Sequence, residues 1–198
     1  MRRELAAGLV VVVLLVAVPL VELLVPTQAS LWDPLPSKLG GVAALRAVSG
    51  TPVYSRSVRL SELSLRHLRV EVVAESCTVE VLEAEEGVAY SIRVLASDPS
   101  ECSVDVEEPS PARGVMRVVV RSGAVVVEVE PSLLRGLNLT CRSTFARVSL
   151  SNLASASLSV VGRSSMVVLE LGFSSAAGSR LSVRARSSTV VGRLSVPE

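Results

Sequence analysis

Residues 137–144 read LNLTCRST, residues 158–165 read LSVVGRSS, and residues 181–188 read LSVRARSS. Each phrase is apolar, any, apolar, any, small, Arg, Ser, then Ser or Thr. A fourth copy, MRVVVRSG, starts at Met116, and looser ones start at Ile92 (IRVLASDP) and Val70 (VEVVAESC). The six starts lie 21 to 24 residues apart. A fixed period of that size marks an architecture of stacked repeats.

Alternation of apolar and polar residues is strand periodicity, and the Arg-Ser-Ser that follows is turn chemistry. A second alternating run comes next: Val125, Val127 and Val129; Val148 and Leu150; Val167, Leu169 and Leu171. Each repeat therefore reads as strand, sharp turn, strand, return. One such unit cannot bury its apolar face alone, so the units must stack in series. The columns agree. The first position runs Val70, Ile92, Met116, Leu137, Leu158, Leu181, and the third runs Val72, Val94, Val118, Leu139, Val160, Val183. The fifth is mostly small (Ala74, Ala96, Val120, Cys141, Gly162, Ala185), as an inward corner with little room requires. The expected fold is all-β: a single-stack, parallel β-helix-like solenoid of about six rungs, roughly 29 Å long, following one N-terminal transmembrane helix. An antiparallel sandwich of short hairpins is the alternative, but it has no reason to keep columns in register.

Hydrophobic residues make up 49% of the chain and aromatics only 3%, so the interior must be aliphatic. The net charge of +1 gives no overall attraction to nucleic acid. Charge is unevenly placed, however. Residues 60–130 are acidic, whereas residues 131–198 carry eight arginines against Glu170 and Glu198. That asymmetry points to self-association or to contact with an acidic surface polymer.

Residues 5–25, LAAGLVVVVLLVAVPLVELLV, are long enough as a helix to cross the hydrocarbon core. Arg2 and Arg3 precede them and the next basic residue is Lys38, which places the N-terminus in the cytoplasm and the remainder outside. The segment reads as a retained single-pass anchor in the cell membrane, with cleavage near Thr27-Gln28-Ala29 as the alternative. Residues 26–56, rich in Pro and Gly, read as a linker, and 57–198 as the extracytoplasmic domain. Residues 53–68 alternate irregularly and are expected to begin the sheet or cap its first rung.

Among candidate sites, the sixth column stacks Arg121, Arg142, Arg163 and Arg186 into a positive stripe able to meet phosphates or carboxylates. Three cysteines leave at least one unpaired, and a bridge between Cys77 and Cys102 is geometrically open. Asn138-Leu139-Thr140 is a glycosylation sequon on an outward strand position. No spacing resembles a metal site, and no cofactor motif is present. The one histidine, His67, has no nucleophile or orienting acid in register, so the chain reads as no enzyme.

The anchor followed by VVVEVEPSLLRGLNLTC and LSVRARSSTVVGRLSV resembles the toast-rack, or adhesin-type, β-solenoid domains of bacterial and archaeal envelopes, over about residues 68–198. Such domains usually carry Gly after the turn serine, which only Ser122-Gly123 keeps here. The resemblance implies a non-catalytic role at the cell surface, in adhesion or envelope scaffolding. The alternative is a sensory or regulatory module that binds a partner membrane protein.

Overall fold

The structure, a computed structural model, describes residues 50–175 and 178–196. The apolar segment 5–25 and most of the linker lie outside them. No helix among the described residues is long and apolar enough to cross a membrane.

The described chain is all-β. Eleven strands form one hydrogen-bonded sheet that does not close on itself. They are β1 (Thr51–Arg59), β2 (Leu68–Glu83), β3 (Val88–Ala96), β4 (Ser103–Glu107), β5 (Val115–Val129), β6 (Leu134–Arg142), β7 (Phe145–Ala154), β8 (Ser157–Arg163), β9 (Met166–Ser175), β10 (Arg180–Arg186) and β11 (Thr189–Ser195). A single 3-10 turn, Leu60–Glu62, follows β1.

The repeated phrases stack as their columns require. Leu137 pairs with Leu158 and Leu158 with Leu181, all in parallel register. Val70 pairs with Leu137 on one side and with Met116 on the other. Each phrase forms a first arm, β5-β2-β6-β8-β10, and the run after the bend forms a second, β5-β2-β7-β9-β11. β2 and β5 are long because each passes through its bend and serves both arms. In the first arm Val70, Val72, Met116, Val118, Leu137, Leu139, Leu158 and Val160 are at most 1% exposed. In the second, Val79, Val81, Val125, Val127, Val148 and Val167 are fully buried, and one apolar cluster joins the two sets. Each such side chain contributes roughly 1.5–3 kcal/mol relative to remaining in water.

Two features differ from the expected stack. Rung order is not chain order, because β5 lies outside β2 and the sequence of rungs is Met116, Val70, Leu137, Leu158, Leu181. The Ile92 phrase is not a parallel rung. β3 runs antiparallel to β5, with Ile92 opposite Val127 in the second arm, and β4 runs antiparallel to the first half of β5. The reversal starts at a tight turn in which Val88 N–H donates to the Glu85 carbonyl (3.0 Å) and Gly87 takes φ +85°, a conformation that costs an L side chain and suits glycine. The stack thus has five parallel rungs and one reversed rung. β1 begins at Thr51, inside the stretch read as linker, and pairs antiparallel with β3 as an edge strand.

Candidate functional site: the arginine corner

Every bend between the two parallel arms is made by a serine in the left-handed region: Ser76, Ser122, Ser143, Ser164 and Ser187, with φ between 51° and 58°. This region is uncommon for non-glycine residues, so something must hold the bends there. Neighbouring rungs do so. Ser143 N–H donates to the Arg163 carbonyl and Ser164 N–H to the Arg186 carbonyl, both at 3.0 Å.

The residue after each bend serine completes the joint. Thr144 Oγ1 donates to the Arg142 carbonyl (2.9 Å), Ser165 Oγ to the Arg163 carbonyl (2.8 Å), and Ser188 Oγ to the Arg186 carbonyl (2.9 Å). Two of these oxygens also accept from the neighbouring rung: Thr144 N–H donates to Ser165 Oγ (3.3 Å) and Ser165 N–H to Ser188 Oγ (3.1 Å). The result is a hydroxyl ladder just inside the corner, with Thr144 and Ser165 buried. In β2 this position is Cys77, whose Sγ lies 2.9 Å from the Glu75 carbonyl oxygen. Cys77 therefore substitutes a thiol for the hydroxyl. At these positions a hydroxyl ties the rungs, where a glycine would only permit the bend. The signal was in the sequence, as Ser/Thr at the eighth position of three phrases.

The bridge between Cys77 and Cys102 is not formed. Cys77, Cys102 and Cys141 are all free thiols. Cys77 is held by backbone carbonyls, and burial pushes its thiol up. Cys141, in the small inward column, is pushed up to about 12, first by burial and then by Cys77.

Outside the corner, the sixth column is brought together, though not as an unbroken stripe. Register places Glu75 between Arg121 and Arg142, followed by Arg163 and Arg186. Glu75 reaches Arg121 (Nε–Oε2, 3.4 Å) and Arg142 (Nη1–Oε1, 3.5 Å). Such exposed pairs contribute at most about 1 kcal/mol, but they give the first two arginines of the stripe one shared counter-charge. Arg163 and Arg186 are exposed and have no acidic partner among the described residues. Three residues after Arg142 and Arg163 come Phe145 and Met166, register partners that are 42% and 39% exposed. Phe145 and Met166 are thus an uncovered apolar pair on the second arm, across the bend from the arginine column. The aromatic half of this corner was missed because a Phe opening an alternating strand reads as core.

The other candidate residues are dispersed. Asn138 is exposed on β6, with Nδ2 3.4 Å from Glu71 Oε1. The acidic loops are engaged in local structure. Asp98 accepts from Ser100 N–H (2.8 Å) and Oγ–H (2.6 Å), which holds its carboxyl below the ordinary value. Glu108 pairs with Arg56 (3.3 Å), and Glu107 lies 3.8 Å from Arg117. Among the described residues no group of three acidic, His or Cys side chains is placed to hold a metal.

No protein-family model and no curated protein matches the chain. Among solved structures, it is similar to a candidate cell adhesion protein from Clostridium sporogenes ATCC 15579, at 8% identity and a TM-score of 0.40, over 74% of this chain and 99% of that one. It is also similar to a candidate adhesin from Parabacteroides merdae ATCC 43184, at 10% identity and a TM-score of 0.21, over 73% of this chain and 96% of that one.

Proposed function

We propose that the chain is a membrane-anchored, extracytoplasmic β-solenoid without catalytic activity, which docks an anionic surface polymer along its corner. The apolar segment 5–25 behind Arg2 and Arg3 supports the anchor and the outward address. The parallel register of the bends supports the solenoid. The observation that carries the ligand class is the pair Arg163 and Arg186, exposed and without acidic partners among the described residues, with Phe145 and Met166 uncovered across the bend. Sulfates or carboxylates spaced along a polymer would meet successive guanidinium groups, and the apolar pair would pack against its backbone.

Full-length chain in mild detergent, passed over immobilised dextran sulfate and over neutral dextran, tests the reading. Retention on the charged matrix alone, falling with salt and falling at least tenfold in Arg163→Gln/Arg186→Gln, is expected. Equal retention of the double variant, or none by the native chain at low salt, would sink it.

A further inference from the structure

The first arm is finished differently at its two ends. At one end β4 lies antiparallel on β5, with Val106 and Val104 opposite Val118 and Val120, which are 0% exposed. On the outer side Glu107 stands opposite Arg117, 3.8 Å from its guanidinium, and Asp105 is diagonal to both Arg117 and Arg121. A short strand of alternating valine and acid thus covers a strand that is apolar inside and carries arginines outside.

At the other end β10 has no strand on its outer edge among the described residues. It stands in the same columns. Register leads from Val183 to Val118 and from Ala185 to Val120, through β8, β6 and β2. Here Val183 is 40% exposed and Ala185 is exposed. The outer side of β10 carries Arg180, Arg184 and Arg186, with Ser182 among them. All three arginines are exposed, and none forms an ion pair among the described residues.

Charge and shape narrow the occupant. A second copy offering its own last rung would bring Arg180, Arg184, Arg186 and Arg193 against the same four, with no carboxylate on β10 or β11. A second copy offering β4 has the right charge, but its β1, on β3 one strand beyond the level of β4, would stand where β11 of the first copy lies. Residues 1–49 carry Glu4, Glu22 and Asp33, too far apart to line one strand. An acidic strand from a different protein meets both requirements.

We infer that β10 is a docking edge for an extended acidic segment of a partner protein, added as one more strand. Its apolar side covers Val183 and Ala185, and its carboxylates meet the arginines. In the register that β4 uses, one carboxylate faces Arg184 and a second, opposite Ser182, stands between Arg180 and Arg184. Opposite charges across a strand pair favour the contact, and backbone pairing at an exposed edge supplies affinity. Polymer binding at the corner is a separate property, because it needs guanidinium groups but no free strand edge.

Fluorescence anisotropy of the labelled peptide EVEVEVE, titrated with the full-length chain in mild detergent, is the measurement, with QVQVQVQ as the neutral counterpart. Saturable binding of the acidic peptide, about tenfold tighter than the neutral one and weakening with salt, is expected. Arg184→Glu should weaken it about tenfold while the urea midpoint stays native, since Arg184 is exposed. Arg163→Gln, which removes a corner arginine one rung inward, should change it by less than about twofold. N-methylation separates strand addition from charge attraction, because alternate residues of an extended peptide turn their N–H groups to opposite sides. Methylating only the glutamates or only the valines should abolish binding in one case and spare it in the other. No binding at low salt, equal binding of the two peptides, equal effects of the two methylations, or R163Q losing as much as R184E would overturn the inference.

Discussion

Adjacent serines at the fourth corner should differ sharply in their response to substitution. Ser165 Oγ accepts from the buried Thr144 N–H, and in Ser165→Ala that N–H has no acceptor. The Arg163 carbonyl keeps a donor, because Ser143 N–H also reaches it at 3.0 Å. One buried donor is orphaned and one hydrogen bond is lost, so the expected cost is about 2 kcal/mol. Ser164, one residue earlier, holds φ 51°. Ser164→Gly relieves about 1 kcal/mol of left-handed strain and gives back a similar amount in the unfolded chain's extra freedom. Its net effect should lie within about 0.5 kcal/mol of zero. Urea denaturation of the full-length chain in mild detergent, followed by far-ultraviolet circular dichroism, separates the two. The difference of about 2 kcal/mol corresponds to roughly 4–8 °C in Tm for a domain of this size. If S165A unfolds with the native midpoint, or S164G loses as much as S165A, the ladder does not hold the rungs and the bend is stabilised some other way.

Leu139→Ala, at a site 1% exposed in the middle of the stack, should cost about 2–5 kcal/mol, whereas Val183→Ala, at the open rung and 40% exposed, should cost less than about 1 kcal/mol in the same denaturation series. Cys141 should resist maleimide in the native state while Cys102, only partly buried, reacts, as mass spectrometry of labelled chain would report. The Cys141 thiol is raised from 9.0 to about 12, so the unfolded chain ionises first; stability should fall as pH rises from about 9 towards 12, and Cys141→Ala should flatten that slope. Glu80 is 5% exposed, its Oε2 has no hydrogen-bond partner among the described residues, and burial raises its pKa against a smaller opposing effect of Arg147. Protonation therefore favours the folded state, and stability contributed by Glu80 should decline as pH rises through its folded pKa. Glu80→Gln should be more stable than the native chain by about 1 kcal/mol at neutral pH, and a loss of stability instead would mean that the carboxylate is paired.

The repeat columns made the interior legible, because inward positions of a stacked strand have few acceptable residues. Leu137, Leu158 and Leu181 are vertical neighbours for that reason. Rung order was not legible, since any two rungs with apolar columns can stack and alternation does not say which pair will. Nor does alternation carry a direction: IRVLAS reads the same whether its strand runs with its neighbours or against them, so the reversal of β3 was invisible in its pattern. Two cues were available, Gly87 at the turn before it and the absence of Arg-Ser at its sixth and seventh positions. β1 was legible only in part: residues 53–68 were expected to begin the sheet or cap its first rung, but apart from Val58 the strand is exposed or only half-buried, so no inward set marks its bounds. At the corner, the arginine column could be read from spacing, whereas Glu75 as its interruption depended on β2 lying between β5 and β6.

That insertion also resolves an electrostatic problem the repeat would otherwise carry. Rungs stacked in chain order from Met116 onward would set Arg121 beside Arg142, Arg163 and Arg186, four like charges roughly 4.8 Å apart in backbone spacing. Like charges directly opposite each other on paired strands are destabilising. With β2 between β5 and β6, the first two arginines share Glu75 and only Arg163 and Arg186 remain adjacent without a counter-charge. The second arm shows the same interleaving: Arg93 pairs with Glu128 and Arg147 with Glu170, at 3.1 and 2.9 Å. Topology and charge pattern thus support one another over most of the stack. They part at the distal rungs, where uncompensated arginines and uncovered apolar side chains occur together, and it is there that an anionic ligand or a further strand would relieve both.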